Sequence, residues 1–531
     1  MHLASYRTNI VLLAIVIALA GCARIPADRG FATSAALIAK QGGPSVAVPD
    51  SDAESKRQTA SWVSAPLTVE SAQRVALTRN PKLILQYARL GLAQAEVYDA
   101  ARISNPLFSL AWLDGSAGGE QIGLGLAQNF ADLLHLSTRK RRAGGELART
   151  QQDVAGQLLK LATDVEGAYY TYLSAVAVAD LRETIANTGK PSAALAERFF
   201  DAGNLSRLEL SREQAAATEL RITADRAAVQ GLATRTALNT LLGLTADEDH
   251  WTATAHLPLP VSTEDELSAL QHVAEVSRLD LLAARNAVVL REDSLGVARS
   301  YRLVGDIAVG IDYEHETDGS RLLGPTLGLT LPIFNWGSGR VERARAELEQ
   351  ARADARQLEL NVSNGVVLAY ASVLNARKIL ERYRTQLIPQ RETVVRHAAA
   401  MQNYMIIGQF EVLQAKQQEY AAYQGYLEAL GQYWISRASL AGAIGARLPS
   451  ATQISSENVE SSALIELPQN DGTAPEHNHN VLQEVPGSKT PHAMDMNGMD
   501  PAGHGMPSNE STSGAQPAGT QPSPSNGKHQ H

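Results

Sequence analysis

The chain has 531 residues, a formal net charge of −9 and 5% aromatic residues. This negative balance excludes a general nucleic-acid binder, which would carry a basic face. Alanine and leucine dominate the middle of the chain, a bias that favours long helices packed side by side over a mixed globular core. Because Cys22 is the only cysteine, no disulfide can form within the chain.

The N-terminus has the pattern of a cleaved export signal. Arg7 precedes an apolar run over residues 10–19, which is too short for a comfortable membrane span. The run ends in Leu19-Ala20-Gly21-Cys22, which matches the bacterial lipobox, where the cysteine is acylated. We therefore predict a lipoprotein signal peptide over residues 1–21 and lipidation of Cys22. An ordinary signal peptide or a short anchor helix is the alternative.

The residues after the cysteine bear on location. Ala23, and not Asp, follows the cysteine, which in enteric-type lipoproteins favours transfer to the outer membrane of a Gram-negative bacterium. Each buried methylene of an acyl chain adds about 0.8 kcal/mol, so several chains anchor firmly. Residues 22–66 are rich in Ala, Ser, Asp and Pro without clear periodicity, and we interpret them as an acylated tether.

The body of the chain repeats itself. At an offset of 205, Ile122–Leu126 reappears as Leu327–Leu331, and the segment around Gly203 reappears around Gly408. Chance similarity in Ala/Leu-rich sequence is the alternative, but the shared order of elements favours two equivalent halves. The repeats are predicted to cover residues 67–245 and 246–448.

Each copy is predicted to contain a helix, two strands, a long helix, a glycine break and a return helix. Long helices of about 60 residues would span on the order of 90 Å, more than an ordinary globular domain. Pro191 and Pro389 are expected to kink them. The expected elements are Val69–Ala101 with a joint at Asn80-Pro81, Leu107–Asp114, Glu120–Phe130, Thr138–Ala202 and Leu205–Leu242, and later Gly339–Ile407 and Phe410–Ile444.

The strands alternate large apolar with small residues. Phe108-Ser109-Leu110-Ala111-Trp112 has this pattern, and so do the strands of the second copy. A half-buried sheet in a soluble domain would alternate in the same way, but an exported, helix-rich chain offers no other apolar sequence to cover it. Four strands cannot close a membrane barrel, and a bilayer tolerates no open edge. We therefore predict a trimer with twelve strands.

Residues 76–83 and 331–337 form two motifs that resemble the TolC family of outer-membrane efflux channels. Ala76–Leu83 is similar to the family's "AL..NP.L" opening, and Leu331–Gly337 is similar to its "P(L/I)F..G" strand-to-helix junction. The resemblance covers residues 67–448. It implies a mainly α fold with a small β part: a trimeric twelve-stranded membrane β-barrel with four strands per chain, continued by a long periplasmic α-helical barrel. It also implies a homotrimer in outer-membrane lipid that works with a periplasmic adaptor protein and an inner-membrane pump.

The glycine breaks would lie at the periplasmic tips of this tunnel and contact the adaptor. Glycine suits a tight reversal because such a turn needs positive φ. Carried over by position, the adaptor-contact residues would be Ala202, Gly203, Asn204, Leu205 and Ser206 in the first copy, and Ile407, Gly408, Gln409, Phe410 and Glu411 in the second.

The sequence offers no catalytic constellation, and we expect no enzyme activity and no resident cofactor. Residues 449–531 form a tail without aromatic residues from Ala451 onwards, predicted to be disordered. The tail holds six of thirteen His and four of seven Met, which suit transient binding of Cu(I), Ag(I) or divalent cations. A low-complexity tail without a role is the alternative. The candidate ligands are His477, His479, His492, Met494, Met496, Met499, His504 and Met506.

These observations predict the outer-membrane channel of a tripartite efflux system, passively conducting copper, silver or other heavy-metal cations. An exit duct for multidrug efflux or type I protein secretion is the first alternative. A periplasmic structural rod without a channel is the second, but it leaves the strands unexplained.

Overall fold

The computed structural model describes residues 25–46, 52–114, 119–253, 256–303, 307–454 and 458–459. The chain divides into two units, residues 1–467 and 468–531, and the second lies outside the described residues. Cys22 and the signal peptide also lie outside them, as do the eight candidate ligands of the tail.

The described chain is mainly helical, with one four-stranded sheet. The helices are α1 (Phe31–Lys40), α2 (Asp52–Ser64), α3 (Val69–Arg79), α4 (Pro81–Ala100), α5 (Ala131–Asp201), α6 (Arg207–Leu242), α7 (Leu267–Ser277), α8 (Leu279–Ser300), α9 (Ser338–Arg382), α10 (Ile388–Asn403) and α11 (Gln409–Ile444). The strands are β1 (Leu107–Asp114), β2 (Glu120–Asn129), β3 (Leu257–Pro258), β4 (Ile307–His315), β5 (Arg321–Leu329) and β6 (Asn458–Val459). None of the helices in this described part is long and apolar enough to cross a membrane.

The predicted joint at Asn80-Pro81 is confirmed. Asn80 ends α3 and begins α4: its side-chain oxygen accepts a hydrogen bond from the Lys82 amide at 2.9 Å, and its Nδ2 donates to the Leu241 carbonyl at 2.7 Å. Proline fits the first turn of a helix because the amide that it lacks would have had no helical partner. The joint therefore also fixes α4 against the end of α6.

The described elements occur twice in the same order, but their spacing is not constant. The long helix of the first copy, α5, contains 71 residues and begins at Ala131, earlier than the predicted Thr138. Its counterpart contains 45 residues in α9, a π-helical turn of five residues over Tyr383–Leu387, and 16 residues in α10. Pro389 explains the turn, because the Thr385 carbonyl loses the amide four residues on. Pro191 lies inside α5 without ending it.

Part of the predicted tether is packed on the body. In α1 the side chains of Phe31 and Ile38 are buried. The Ser34 hydroxyl donates to the Gln151 carbonyl at 3.1 Å, and Gln151 Nε2 donates to the Gly30 carbonyl at 3.1 Å. Residues 25–46 are therefore docked on α5.

The aromatic core joins the two repeats between α5 and α11. Trp434 stacks on Tyr170 with ring centroids 5.2 Å apart, and its indole N–H donates to the Pro258 carbonyl at 2.8 Å. Beside them, the buried guanidinium of Arg437 pairs with Glu264, which lies in the segment between α6 and α7. Glu264 also pairs with Arg377 at 3.1 Å and would keep this partner without Arg437, whereas removal of Glu264 would leave the buried guanidinium of Arg437 without its charge partner.

Candidate functional site

The four-stranded sheet has the order β1-β2-β4-β5, and every pair is antiparallel. The register is continuous across all four strands: Phe108 pairs with Leu126, Leu126 with Ile311, and Ile311 with Pro325. One hairpin comes from each repeat, and the β2–β4 ladder joins them. The strand prediction is confirmed, with β2 ending at Asn129 instead of Phe130.

One face of the sheet, here called the apolar face, is covered by large hydrophobic side chains. Because side chains alternate along a strand, the register brings every second residue to this face. Phe108, Trp112 and Leu323 are 63%, 66% and 70% exposed, so no other part of the described chain covers them. The central residues of the face are Phe108, Leu110, Trp112, Ile122, Leu124, Leu126, Val309, Ile311, Tyr313, Leu323, Pro325 and Leu327.

The opposite face, here called the small-residue face, carries mainly glycine, alanine and polar side chains, together with Leu107, Leu113 and Leu322 near the strand ends. A Cβ on Gly125 would lie 2.3 Å from Ser109 Oγ and 2.7 Å from Asp312 Oδ1, so the neighbouring polar side chains use the space that glycine leaves. The residues of this face include Ser109, Ala111, Gln121, Gly123, Gly125, Ala127, Ala308, Gly310, Asp312, Glu314, Gly324, Thr326 and Gly328.

The two outer strands, β1 and β5, have no further partner strand within the described residues. Each therefore presents a row of backbone N–H and C=O groups at an open edge. In hydrocarbon each unsatisfied backbone group costs several kcal/mol. A sheet with this apolar face can enter a bilayer only if its edges pair with other copies.

Two tight turns of five residues, 202–206 and 404–408, connect the long helices to their return helices. In the first turn Gly203 has φ 76°, and the Asn204 amide donates to the Phe199 carbonyl at 2.8 Å. In the second turn Met405 has φ 59°, and the Ile406 amide donates to the Met401 carbonyl at 2.9 Å. These are equivalent helix caps.

The prediction that Gly408 provides the positive φ is wrong. Gly408 is extended, with φ −81° and ψ 168°, and it is the N-cap of α11. Its counterpart is Ser206, the N-cap of α6, and the counterpart of Gly203 is Met405. The offset of 205 misaligned this turn by three residues, because the two long helices differ in length. A non-glycine residue in this conformation costs roughly 1–2 kcal/mol.

The two turns differ in chemistry. In the first, Ser206 and Glu209 form a reciprocal capping box, and the hydrogen bonds from Ser206 lower the pKa of Glu209. In the second, the side chains of Tyr404, Met405 and Ile406 are 80%, 93% and 65% exposed. The second turn thus presents an apolar knob of three consecutive residues.

A cavity of about 230 Å³, here called the tip cavity, brings the two tips together. The guanidinium of Arg212 lies 5.3 Å from the centre of the Phe410 ring across it, and Glu213 accepts a hydrogen bond from Ser192 at 3.3 Å. Five predicted contact residues line the cavity, and the other five lie outside its lining. Those lining it are Leu205, Gly408, Gln409, Phe410 and Glu411; those outside are Ala202, Gly203, Asn204, Ser206 and Ile407.

A larger cavity of about 1430 Å³ lies beside α5, next to the aromatic core. Glu166 lines it and accepts a hydrogen bond from Gln73 Nε2 at 3.4 Å. Burial and then the nearby carboxylate of Glu70 raise the pKa of Glu166 to about 7, against the opposing effect of Arg437 and Arg447. This carboxyl was not predicted from the sequence, where it is one acidic residue of a long helix.

Comparison with known proteins supports this architecture. The model of the outer membrane efflux protein family matches residues 270–446, which lie in the second repeat. A comparison with curated protein sequences finds no match. The similarity at the sequence level therefore covers about a third of the chain.

Solved structures resemble most of the chain. CusC, whose structures concern transmembrane channel formation, is 17% identical, with 72% of this chain and 93% of that chain covered and a TM-score of 0.62. The outer membrane protein VceC of Vibrio cholerae is 16% identical, covering 71% and 96%, with a TM-score of 0.60. The CmeC outer membrane channel of Campylobacter jejuni is 15% identical, covering 74% and 88%, with a TM-score of 0.62. The predicted resemblance to outer-membrane efflux channels is thereby confirmed for the fold.

Proposed function

We propose that three copies of this chain form an outer-membrane channel, the exit duct of a tripartite efflux system. The observation that carries this proposal is the sheet with one apolar face, one small-residue face and two open edges. Closure by three copies gives twelve strands, above the roughly eight at which membrane barrels begin. The apolar face would then contact lipid and the small-residue face would line the lumen.

Reconstitution tests this proposal directly. Purified protein added to planar lipid bilayers should give stepwise conductance increases of uniform size, and crosslinking in detergent should give a trimer. A monomer that leaves bilayers silent would favour the structural rod and contradict the channel.

We propose that the tips dock a periplasmic adaptor, which connects the channel to an inner-membrane pump. The apolar knob and the tip cavity support this, because exposed hydrophobic clusters and clefts with a few charged groups are typical of binding surfaces. A purified adaptor encoded with this channel provides the test. Met405→Asp should weaken its binding at least tenfold, whereas Asn204→Asp adds the same charge in the polar turn and should have a smaller effect. Equal effects would argue against docking on the knob.

We propose that acyl chains on Cys22 hold the N-terminus in the same membrane as the sheet. The docked α1 begins nine residues after this cysteine, so the lipid would be an auxiliary anchor next to the barrel. Cys22→Ser should slow delivery or assembly, measured by the amount of trimer in outer-membrane fractions. Complete loss of trimer would show that the lipid is indispensable.

We propose heavy-metal cations, with copper and silver preferred, as the substrates, on the basis of the His and Met residues of the tail. Truncation after Ser450 would be a poor test, because it would also remove β6, whose residues Val459 and Asn458 pair with Leu257 and Pro258 of β3. Truncation after Leu467 removes all eight candidate ligands, and truncation after Met506 keeps them. Only the shorter protein should reduce growth under copper stress. Equal growth, together with no metal binding by the isolated tail, would remove this substrate.

A further inference from the structure

The first long helix carries a run of four basic residues close to the sheet. Residues 139–142 are Arg, Lys, Arg and Arg, and they lie in the third and fourth turns of α5, which begins two residues after β2 ends. Arg139 pairs with Asp132 at 3.5 Å. Lys140 and Arg141 are exposed, and within the described residues they take part in no ion pair or hydrogen bond.

Arg142 interacts with a carboxylate of its own helix. It lies four residues before Glu146, so the two side chains share one side of α5. The hydrogen bond from Arg149 lowers the pKa of Glu146, and the nearby charge of Arg142 adds to this effect. The run therefore contains two cations that the chain itself engages and two that it leaves free for another partner.

The second repeat shows that the two free cations are no requirement of the fold. Arg139 Nη2 donates to the Arg102 carbonyl at 3.1 Å, and Arg340 Nη2 donates to the Arg302 carbonyl at 2.9 Å, so the two arginines are equivalent. The next two residues are lysine and arginine in the first repeat, but valine and glutamate in the second. The strand-to-helix junction therefore forms without them.

The face of α5 that carries these cations is apolar nearer to the sheet. Leu133 and Leu134 precede Lys140 and Arg141 by seven residues each, and residues seven apart lie on one side of a helix. The leucine side chains are 54% and 53% exposed, so much of their surface is left uncovered by the described chain. This face therefore changes from apolar to basic over seven residues, about 10 Å along the helix.

The order of these side chains matches the order of media at a membrane surface. The exposed leucines continue the apolar face of the sheet onto α5, and the cations follow on the side away from the sheet. In a bilayer, hydrocarbon gives way within several Å to a headgroup layer that contains the phosphates. Lysine and arginine place their methylene stems along apolar surface and their charged ends in this layer.

We propose that Lys140 and Arg141 bind the phosphate groups of anionic phospholipids, in the leaflet on the helical side of the sheet. This inference rests on the proposed function, because only a membrane-inserted sheet brings α5 to the headgroups. Three copies would place six such cations around the channel. Each lysine or arginine near an anionic membrane surface strengthens the attraction by about fivefold. A zwitterionic headgroup should bind more weakly, because its amine offsets the phosphate charge.

The test is thermal unfolding of the purified full-length protein in detergent, titrated with dioleoyl phosphatidylglycerol or with dioleoyl phosphatidylcholine. A ligand that binds only the folded state raises the melting temperature. Phosphatidylglycerol should produce a given rise at a lower concentration than phosphatidylcholine. Lys140→Gln combined with Arg141→Gln should increase the phosphatidylglycerol concentration required at least fivefold, and it should leave the phosphatidylcholine titration unchanged. Arg142→Gln removes the adjacent charge on another side of α5 and should keep the wild-type titration.

A second variant covers the case in which the double variant fails to fold. Ser137→Glu adds a negative charge on the same face, between the leucines and the cations, and leaves both cations in place. It should also increase the phosphatidylglycerol concentration required. In the wild type, 1 M salt should abolish the preference between the lipids, because the Debye length falls to about 3 Å.

Equal phosphatidylglycerol titrations for the wild type and a folded variant, double or Ser137→Glu, would overturn the inference, and so would an equal response of the wild type to the two lipids. Glycerol 3-phosphate has the phosphate without acyl chains and should give no stabilisation. Stabilisation as strong as that by phosphatidylglycerol would indicate a site for free anions and would also contradict a lipid surface. Absence of pores in planar bilayers would contradict the proposed function, whereas a pore-forming protein without lipid preference would contradict this inference alone.

Discussion

The two repeats share one order of elements, yet they agree at the strand end and differ at the tip. Both hairpins place large apolar residues on one face and small residues on the other, and their registers match across β2 and β4. At the tips, the first turn is polar and has a capping box, whereas the second presents the apolar knob of Tyr404, Met405 and Ile406. Strands in one sheet meet the same medium, so their pattern must agree, whereas two turns can contact different parts of a partner.

The largest expected effect concerns the strand end, where the two repeats agree. Leu110→Arg places a charge on the apolar face, and a charge in the middle of a bilayer costs about 2–4 kcal/mol in a membrane barrel. Ala111→Arg, one residue later, faces the small-residue side. We expect Leu110→Arg to reduce the amount of membrane-inserted trimer severalfold more than Ala111→Arg, measured by heat-modifiable gel mobility of membrane fractions. Equal losses would mean that the two faces do not meet different media.

The next effect concerns the contact between α11 and the π-helical turn, which only the second long helix contains among the described residues. A Cβ on Gly425 would lie 2.6 Å from atoms of the Tyr383 ring in the π-helical turn, so the ring would have to move. Gly425→Ala should destabilise the protein by about 1–3 kcal/mol, as small-to-large changes in packed regions do. Gly365→Ala, where no atom lies within 4 Å, should stabilise it by about 0.5–1 kcal/mol. Thermal unfolding of both variants in detergent gives the comparison, and shifts of the same sign would contradict it.

A smaller effect tests the equivalence of Gly203 and Met405. Both adopt positive φ at the end of a long helix, so Gly203→Ala should destabilise the first tip by roughly 1 kcal/mol. Met405→Gly should relieve strain and leave the second tip unchanged or slightly more stable, because glycine also loses more chain entropy on folding. Hydrogen exchange of the backbone amides in the two turns measures local opening. Faster exchange in Met405→Gly than in the wild type would contradict this equivalence.

The sequence predicted the elements well where local patterns decide them. Alternation located the strands, and the Asn80-Pro81 pair located the joint, because both depend on neighbouring residues alone. The positive φ at Met405 was not predicted, because glycine is the usual residue in this conformation. The prediction therefore placed the positive φ at Gly408, three residues later. A difference in length between two helices produces no local sequence pattern. Applying one constant offset of 205 to both copies therefore placed the positive-φ position of the second turn three residues too late.

The candidate site was only partly predictable. The tip turns were found from their glycines, but Arg212 and Phe199, which line the tip cavity, come from helical stretches that resemble any other amphipathic helix. The opposing positions of Asp312 and Arg321 on the sheet follow from its register, which single strands do not reveal. Glu166 acquires its properties from α3 and α11, elements distant in sequence, and no local pattern indicates that meeting.

The smallest effect lies in the core that joins the repeats. The pKa of Glu166 is raised to about 7 in the folded protein from its ordinary 4.5, so the folded state favours the protonated carboxyl. Its contribution to stability is therefore complete below pH 4.5 and is lost as the pH rises through about 7. We expect the wild type to lose on the order of 1 kcal/mol between pH 5 and 8 that Glu166→Gln retains, since a cavity admits water and weakens the burial effect. Asp164→Asn, an exposed carboxylate paired with Lys160 on the same helix, should keep the wild-type pH dependence of the melting temperature. If the melting temperatures of the wild type and Glu166→Gln changed with pH in parallel, the Glu166 carboxyl would be ionised in the folded core. The contact between the repeats would then tolerate a negative charge close to Glu70.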